Sequence, residues 1–338
     1  MSCNNSFCSV SEQIPGLKRH SSSDSNSDSK RGKCEDPDSK LCGSSQKSKS
    51  PIENFISLYI FVKLLGFGAF GVVKLMQHRI SGINYAVKIV KKIDSQTDDK
   101  TRNEIRLGMK LNSDYVCKVH GYHEDDNHFY IIMDYLEGMD LCDFLCKDPK
   151  FFINNPQYFW FVVVSILRGL AYLHSKKIAH MDIKPQNVYL VLDKQGNIIG
   201  VKLIDFGLSM EIDDTTKCFK GTHVFMAPEF FHRSTNIDCK VDIWSLAIMA
   251  FGMIREYLPI QIASSRKNPD QRNSEICRNI QRLLMDNLFN PFEKESEDQD
   301  IKEMERFIQS CLFIYPTDRP TADDLLKKIS SDIHQMSL

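Results

Sequence analysis

From residue 57 the chain runs through short apolar stretches broken by turn-forming residues. "SLYIFVKLLGFGAFGVVKLMQHRISGINYAVKIVKKI" predicts strands joined by a Gly-rich turn and by the Ser81–Gly82 turn. A short helix is predicted over 101–111, "TRNEIRLGMKL", and further strands over 116–122 and 129–134. From about residue 141 the apolar spacing lengthens to the helical period, at 157–175, 238–256, 272–289 and 301–312. A β-rich N-terminal part followed by a helical C-terminal part predicts an α+β, bilobal fold: a β-rich N-lobe and a helical C-lobe. No internal repeat is visible.

The first fifty residues break this pattern. "SSSDSNSDSKRGKCEDPDSK" has too few large apolar groups to offset its ordering entropy, which predicts a disordered tail. The expected division is a tail over 1–54, an N-lobe with its hinge over 55–135 and a C-lobe over 136–332. The basic patches "LKRH" and "SQKSKS" read as solvated linker rather than a targeting signal. At 338 residues, 42% hydrophobic and 26% charged, the chain is long and apolar enough for two packed lobes.

A formal net charge of −1 gives no bulk attraction to nucleic acid, so no nucleic-acid partner is expected. Eleven cysteines lack zinc-like pairing, and Cys142 and Cys146 have no matching pair at ligand spacing. They read as ordinary thiols of a reducing compartment. The apolar runs 56–65 and 241–254 are short or interrupted by charge, so no membrane partner is expected. The expected location is cytoplasmic or nuclear.

Candidate chemistry begins with "GFGAFGVV", which places Gly66, Gly68 and Gly71 between two strands. Glycines there permit backbone to approach phosphate oxygens that a Cβ would obstruct. A dinucleotide turn would open a helix, whereas "VVKLMQHR" continues as a strand, which disfavours that alternative. Lys88 of "YAVKIV" has a candidate partner in Glu104 on the next helix. Taken alone they are equally two solvent-facing charges; beside the Gly-rich loop, a lysine on phosphates fixed by a glutamate is the stronger reading. In "IAHMDIKPQNVYL", Asp182 is suited to accept an acceptor hydroxyl's proton, Lys184 to offset phosphoryl charge and Asn187 to offer a metal an amide oxygen. Asp205 follows the apolar strand "VKLI", where a carboxylate is costly unless it meets a cation. Mg²⁺ shared with Asn187 and substrate phosphates answers that cost.

"GFGAFGVV", "YAVK", "HMDIKPQN", "DFG", "GTHVFMAPE", "DIWSL" and "CLFIYPTDRP" occur in the order of the eukaryotic protein kinase family, which the chain resembles over about 57–330. The resemblance implies ATP and Mg²⁺ as cofactors and a protein substrate. It implies Lys88 on the phosphates with Glu104 as its partner, Asp182 as base, and Asn187 and Asp205 as metal ligands. Val73 and Ala86 belong to the same implied nucleotide site. Met133 is implied as gatekeeper, Asp134–Leu136 as hinge, and Tyr189 as the residue beneath the adenine. It also implies a buried Glu229–Arg319 pair and Asp242 as anchor of the catalytic loop. "DIKPQN" with Thr222 implies Ser/Thr specificity.

Three positions depart from the family: Tyr189 stands where Leu is common, and the other two bear on activation. Met181 stands where Arg is usual, so phosphorylation at Thr215 or Thr216 is not expected to be the on-switch. "HMDIKP" resembles the Wee kinases, which makes restraint of a cell-cycle kinase an alternative. Gly108 lies where a large apolar side chain is expected to meet Phe206. The gap calls for Leu107 or Met109 to fill it, or for an activating partner or the tail to support the active form, and leaves a pseudokinase scaffold as a further alternative.

Overall fold

The computed structural model describes residues 57–68, 71–213, 221–231, 236–259, 292 and 296–336. The predicted tail, the predicted helix over 272–289, Thr215 and Thr216 lie outside these residues.

The N-lobe is one antiparallel sheet of β1 (Tyr59–Gly68), β2 (Gly71–His78), β3 (Asn84–Lys91), β4 (Val119–Glu124) and β5 (His128–Asp134), in the order β1-β2-β3-β5-β4. Helix α1 (Ser95–Lys110) packs on it, with Val90, Ile105, Val119, Phe129 and Ile131 forming a buried cluster. The helix begins six residues before the predicted 101–111. Asp94 caps it by accepting from the Thr97 N–H at 2.8 Å, so a polar first turn that lacks apolar spacing is still helical.

Strand β4 starts later than predicted because 115–117 pairs elsewhere. Val116 bridges Leu203, Leu203 N donates to Tyr115 O at 2.9 Å, and Cys117 N donates to Leu203 O at 2.9 Å. This short parallel contact stitches the N-lobe to the C-lobe.

In the C-lobe, β6 (Gly138–Asp140), β8 (Val188–Leu192) and β9 (Ile198–Leu203) form a sheet ordered β6-β8-β9, and β7 (Ile178–Ala179) pairs with β10 (Met210–Glu211). The helices are α2 (Leu141–Lys147), α3 (Phe151–Asn154), α4 (Pro156–Ser175), α5 (Val241–Arg255), α6 (Gln299–Cys311) and α7 (Ala322–Met336). Every residue of α5 from Val241 to Ile254 is buried, as expected of a helix that is apolar all round and forms the lobe's centre. Each Leu, Ile or Phe fully buried there contributes about 1.5–3 kcal/mol.

Helix α4, predicted over 157–175, is long and apolar enough to cross a membrane. Its Phe159, Val162, Val163, Ile166, Leu170 and Leu173 are buried in the lobe's core. Helix α7 was not anticipated. Its signal is "TADD", where Thr321 and Asp324 bond reciprocally: Thr321 N donates to Asp324 Oδ2 at 3.1 Å and Asp324 N to Thr321 Oγ1 at 3.2 Å. Cys142 is a buried thiol outside any disulfide, as expected, and its Sγ accepts from Gln186 Nε2 at 3.4 Å, whereas Cys146 is disulfide-bonded, which corrects the reading of both as thiols. Among the described residues no three His, Cys, Asp or Glu side chains group as a metal centre.

Candidate active site

Cross-strand partners and alternate residues share one face of a sheet. Val73 pairs with Lys88, and Ala86 pairs with Met133, so these four residues face the same side. Gly66 pairs with Val73 and Gly68 with Gly71 across β1 and β2. The glycines differ in what requires them. A Cβ on Gly71 would lie 2.0 Å from Ile89 O, so its position is dictated by the neighbouring strand. A Cβ on Gly66 would meet nothing within 4 Å, leaving that backbone open to a ligand.

Lys88 Nζ donates to both carboxylate oxygens of Glu104, each at 2.8 Å, and lies 3.9 Å from Asp205 Oδ1. Burial opposes the lysine's charge, but Asp205 and Glu104 outweigh it and hold its pKa above the usual lysine range. Burial pushes the Glu104 carboxyl up against the pull of Lys88; two short bonds to an ammonium keep the pair ionic. Lys88 holds the Asp205 carboxyl below the usual carboxylate range, with smaller help from the Gly207 N–H and Lys184. Asp205 has φ +64°, a left-handed backbone that costs a non-glycine residue about 1–2 kcal/mol. Its Oδ1 accepts the Gly207 N–H at 3.2 Å, and its side chain is 49% exposed. Phe206 beside it is buried, its ring 5.2 Å from that of His180.

The second group surrounds Asp182, which is buried. Its Oδ2 accepts from Lys184 Nζ at 2.5 Å and from Asn187 Nδ2 at 2.9 Å. Its Oδ1 accepts from Thr222 N at 3.1 Å and Thr222 Oγ1 at 2.7 Å. The Thr222 hydroxyl is also 3.0 Å from Lys184 Nζ. A hydroxyl of the acceptor type thus already sits between the carboxylate and the lysine. Asn187 Nδ2 donates again to Asp182 O at 2.8 Å, so the amide nitrogen is committed and the oxygen is the atom left for a ligand. The loop carrying these groups hangs from Asp242. That carboxylate accepts from His180 N at 2.8 Å and Met181 N at 2.9 Å, and lies 2.9 Å from His174 Nε2.

Tyr189 joins neither group. Its hydroxyl donates to Gly138 O at 2.9 Å and Leu136 O at 3.3 Å, tying the segment after β5 to β8. Burial pushes its phenol up to about 12, so it remains a donor at neutral pH. Asp134 turns its side chain the other way, to His120 Nε2 at 2.7 Å and Lys202 Nζ at 3.4 Å. Whatever Asp134 offers a ligand comes from its backbone.

The departures at Met181 and Gly108 resolve differently. Met181 is buried with Phe206 and Met226 in the C-lobe core and has φ +70°. An apolar side chain in that place has no means of pairing a phosphate. At Gly108 the expected void is absent: a Cβ would lie 2.3 Å from Val119 Cγ2, so β4 already fills the space. Leu107 is buried in the same cluster as Phe206, whereas Met109 is 49% exposed. No room for a side chain remains at Gly108 itself.

Three contributors were not found from sequence. Asn103 Nδ2 donates to Ser209 O at 2.8 Å; Arg106 and Lys110 both reach Glu211, at 3.0 and 2.9 Å. No spacing rule links residues a hundred positions apart. The Tyr189 hydroxyl's hold on the Leu136 and Gly138 carbonyls was equally hidden, because a sequence shows the ring and not its direction.

A β-rich lobe whose lysine–glutamate pair faces an aspartate, over a helical lobe presenting Asp182, Lys184 and Asn187, defines a protein kinase domain. The family model for that domain matches residues 59–329, and the chain belongs to this family. It is 28% identical over 217 residues, 64% of its length, to a serine/threonine-protein kinase of Drosophila melanogaster. It is 35% identical over 213 residues, 62% of its length, to calcium-dependent protein kinase 6 of Plasmodium berghei. It is 34% identical over 202 residues, 59% of its length, to the catalytic subunit of a cAMP-dependent protein kinase of Arthrobotrys oligospora. The chain spans 28%, 14% and 37% of these relatives.

Proposed function

We propose that this chain transfers the γ-phosphoryl group of ATP to serine or threonine hydroxyls of a protein substrate. The observation that carries the reading is the unsaturated lysine. Of the three donors of Lys88, two bonds go to Glu104, and Asp205 is too distant at 3.9 Å to take the third as a hydrogen bond. One donor is left for a phosphate oxygen. Val73, Ala86 and Met133 supply an apolar wall for a base, with the backbone of Asp134–Leu136 at its edge and Tyr189 below. Gly66, Gly68 and Gly71 bring backbone to the phosphates.

The acceptor hydroxyl takes the place beside Asp182 and Lys184 that the Thr222 hydroxyl marks. Its oxygen forms the new bond to the γ-phosphorus as the bond from that phosphorus to the β–γ bridging oxygen breaks, and ADP leaves. Its proton passes to Asp182, while Lys184 offsets the charge on the phosphoryl oxygens. The half-exposed Asp205 carboxylate and the Asn187 amide oxygen are hard donors that suit Mg²⁺. When bound, the metal neutralises phosphate charge.

Serine/threonine preference is supported by Lys184 and Thr222 on Asp182 and by the likeness to the serine/threonine-protein kinase of Drosophila melanogaster. The likeness to the Wee kinases rests on Met181, which faces the core and offers an acceptor nothing.

The test is transfer from radiolabelled Mg-ATP to casein or histone, with melting measured with and without Mg-ATP. Asp182→Ala is expected to remove transfer while keeping nucleotide-dependent stabilisation. Asp205→Asn is expected to lose both and to melt normally without nucleotide. A folded wild type that neither transfers nor is stabilised would contradict the reading.

A further inference from the structure

Helix α1 must hold Glu104 against Lys88, and beside the buried Leu107 its contact with the C-lobe side includes a polar face. Asn103, Arg106 and Lys110 lie at i, i+3 and i+7, one face of the helix. That face meets the segment just after Asp205. Asn103 donates to Ser209 O at 2.8 Å and accepts from Arg106 at 3.1 Å through its Oδ1. Glu211 is shared: Oε2 takes Arg106 at 3.0 Å and Oε1 takes Lys110 at 2.9 Å. A cavity of about 390 Å³ opens at this junction, bordered by Asn103, Arg106, Gly207, Ser209 and Glu211. Polar contacts therefore span a gap that apolar packing leaves open.

Glu211 is itself rigidly placed. Strand β10 pairs with β7, Glu211 opposite Ile178 and Met210 opposite Ala179, and Ile212 N donates to Lys177 O at 2.7 Å. Strand β7 leads three residues later into Asp182. The carboxylate thus gauges helix α1 against the stem of the loop that carries Asp182, Lys184 and Asn187. The Lys110 and Arg106 bonds hold its carboxyl below the usual carboxylate range, as expected of a charge shared by two cations.

We propose that Glu211 is a positioning residue of the transfer site, whose carboxylate, bridging Arg106 and Lys110, holds α1 in the placement that presents Glu104 to Lys88. The proposal rests on the phosphotransfer reading above. It makes the fastening a property of the unmodified chain, in a protein whose Met181 has no means of recruiting a phosphate for the purpose.

The experiment compares wild type, Glu211→Gln, Glu211→Asp and the swap Glu211→Lys with Arg106→Glu and Lys110→Glu, all as full chain. Hydrogen exchange of 95–110 is read without nucleotide, and transfer from Mg-ATP to casein is read at low and high salt. Glu211→Gln is expected to speed exchange in α1 and lower the transfer rate about threefold to tenfold near 50 mM salt, the scale two exposed ion pairs supply. Wild type is expected to fall toward the variant near 500 mM, where such pairs are screened. The aspartate and the swap are expected to recover part of both readouts.

Unchanged exchange in Glu211→Gln overturns the proposal whether or not the protein transfers phosphate. Faster exchange with an unaltered transfer rate in an active enzyme also overturns it, because the clamp would then not serve the site. A wild type without transfer would count against the phosphotransfer reading, and the exchange comparison would still decide whether Glu211 holds the helix.

Discussion

Two buried glutamates, Glu104 in the N-lobe and Glu229 in the C-lobe, each bind a cation through both oxygens, and the surroundings make them different devices. In the C-lobe, Arg319 gives Glu229 bonds of 2.7 and 2.9 Å. It also donates to Phe313 O and Lys240 O at 2.9 Å and to Ile314 O at 3.2 Å, and lies over the Trp244 ring. A guanidinium has five N–H donors, and here all five are used. In the N-lobe, Lys88 spends two donors on Glu104 and faces Asp205 at 3.9 Å with the third. A saturated pair ties chain segments together and has nothing for a ligand. An unsaturated one, placed at a cleft, is available for chemistry.

Breaking the saturated pair is expected to have the largest effect on the fold. Arg319→Met strands the buried Glu229 carboxylate and three carbonyls, and should cost about 3–5 kcal/mol in denaturant unfolding. Asp242→Asn comes next. The amide nitrogen replaces one of the two oxygens and opposes the N–H of either His180 or Met181 donor to donor, so about 1.5–3 kcal/mol and most of the transfer rate should be lost together. Gly108→Ala sharpens the N-lobe side. The added Cβ meets Val119 at 2.3 Å, and overpacking of about 1–3 kcal/mol should be relieved when Val119→Ala is added. Smallest is Tyr189→Phe, which frees the Leu136 and Gly138 carbonyls. Its loss of about 0.5–1.5 kcal/mol should appear as a raised KM for ATP, with kcat at saturating ATP little changed.

The sequence was most informative where one short segment carries its own chemistry. Asp182, Lys184 and Asn187 are neighbours in the chain, and the structure gathers them around one carboxylate. The lobes were legible because the apolar period changes from strand to helix near residue 141. Contacts between distant segments were not. Nothing local shows that 115–117 leaves β4 to pair with Leu203, or that Val119 fills the space at Gly108. Side-chain direction was hidden for the same reason: Asp134 turns to His120, Tyr189 to the Leu136 and Gly138 carbonyls and Met181 to the core. The capping pair Thr321 and Asp324 was readable and was passed over, so α7 was missed.

The central claim is that the N-lobe pair serves the reaction and the C-lobe pair serves the fold. Lys88→Met tests it most directly, with apo melting temperature and phosphoryl transfer measured on the same preparation beside Arg319→Met. The account predicts that Lys88→Met shifts the apo melting temperature much less than Arg319→Met does, because Asp205 is already half-exposed and the buried Glu104, its carboxyl pushed up by burial, can take a proton, and that it abolishes transfer. A Lys88→Met protein that melts as low as Arg319→Met, or that transfers phosphate at the wild-type rate, would contradict it.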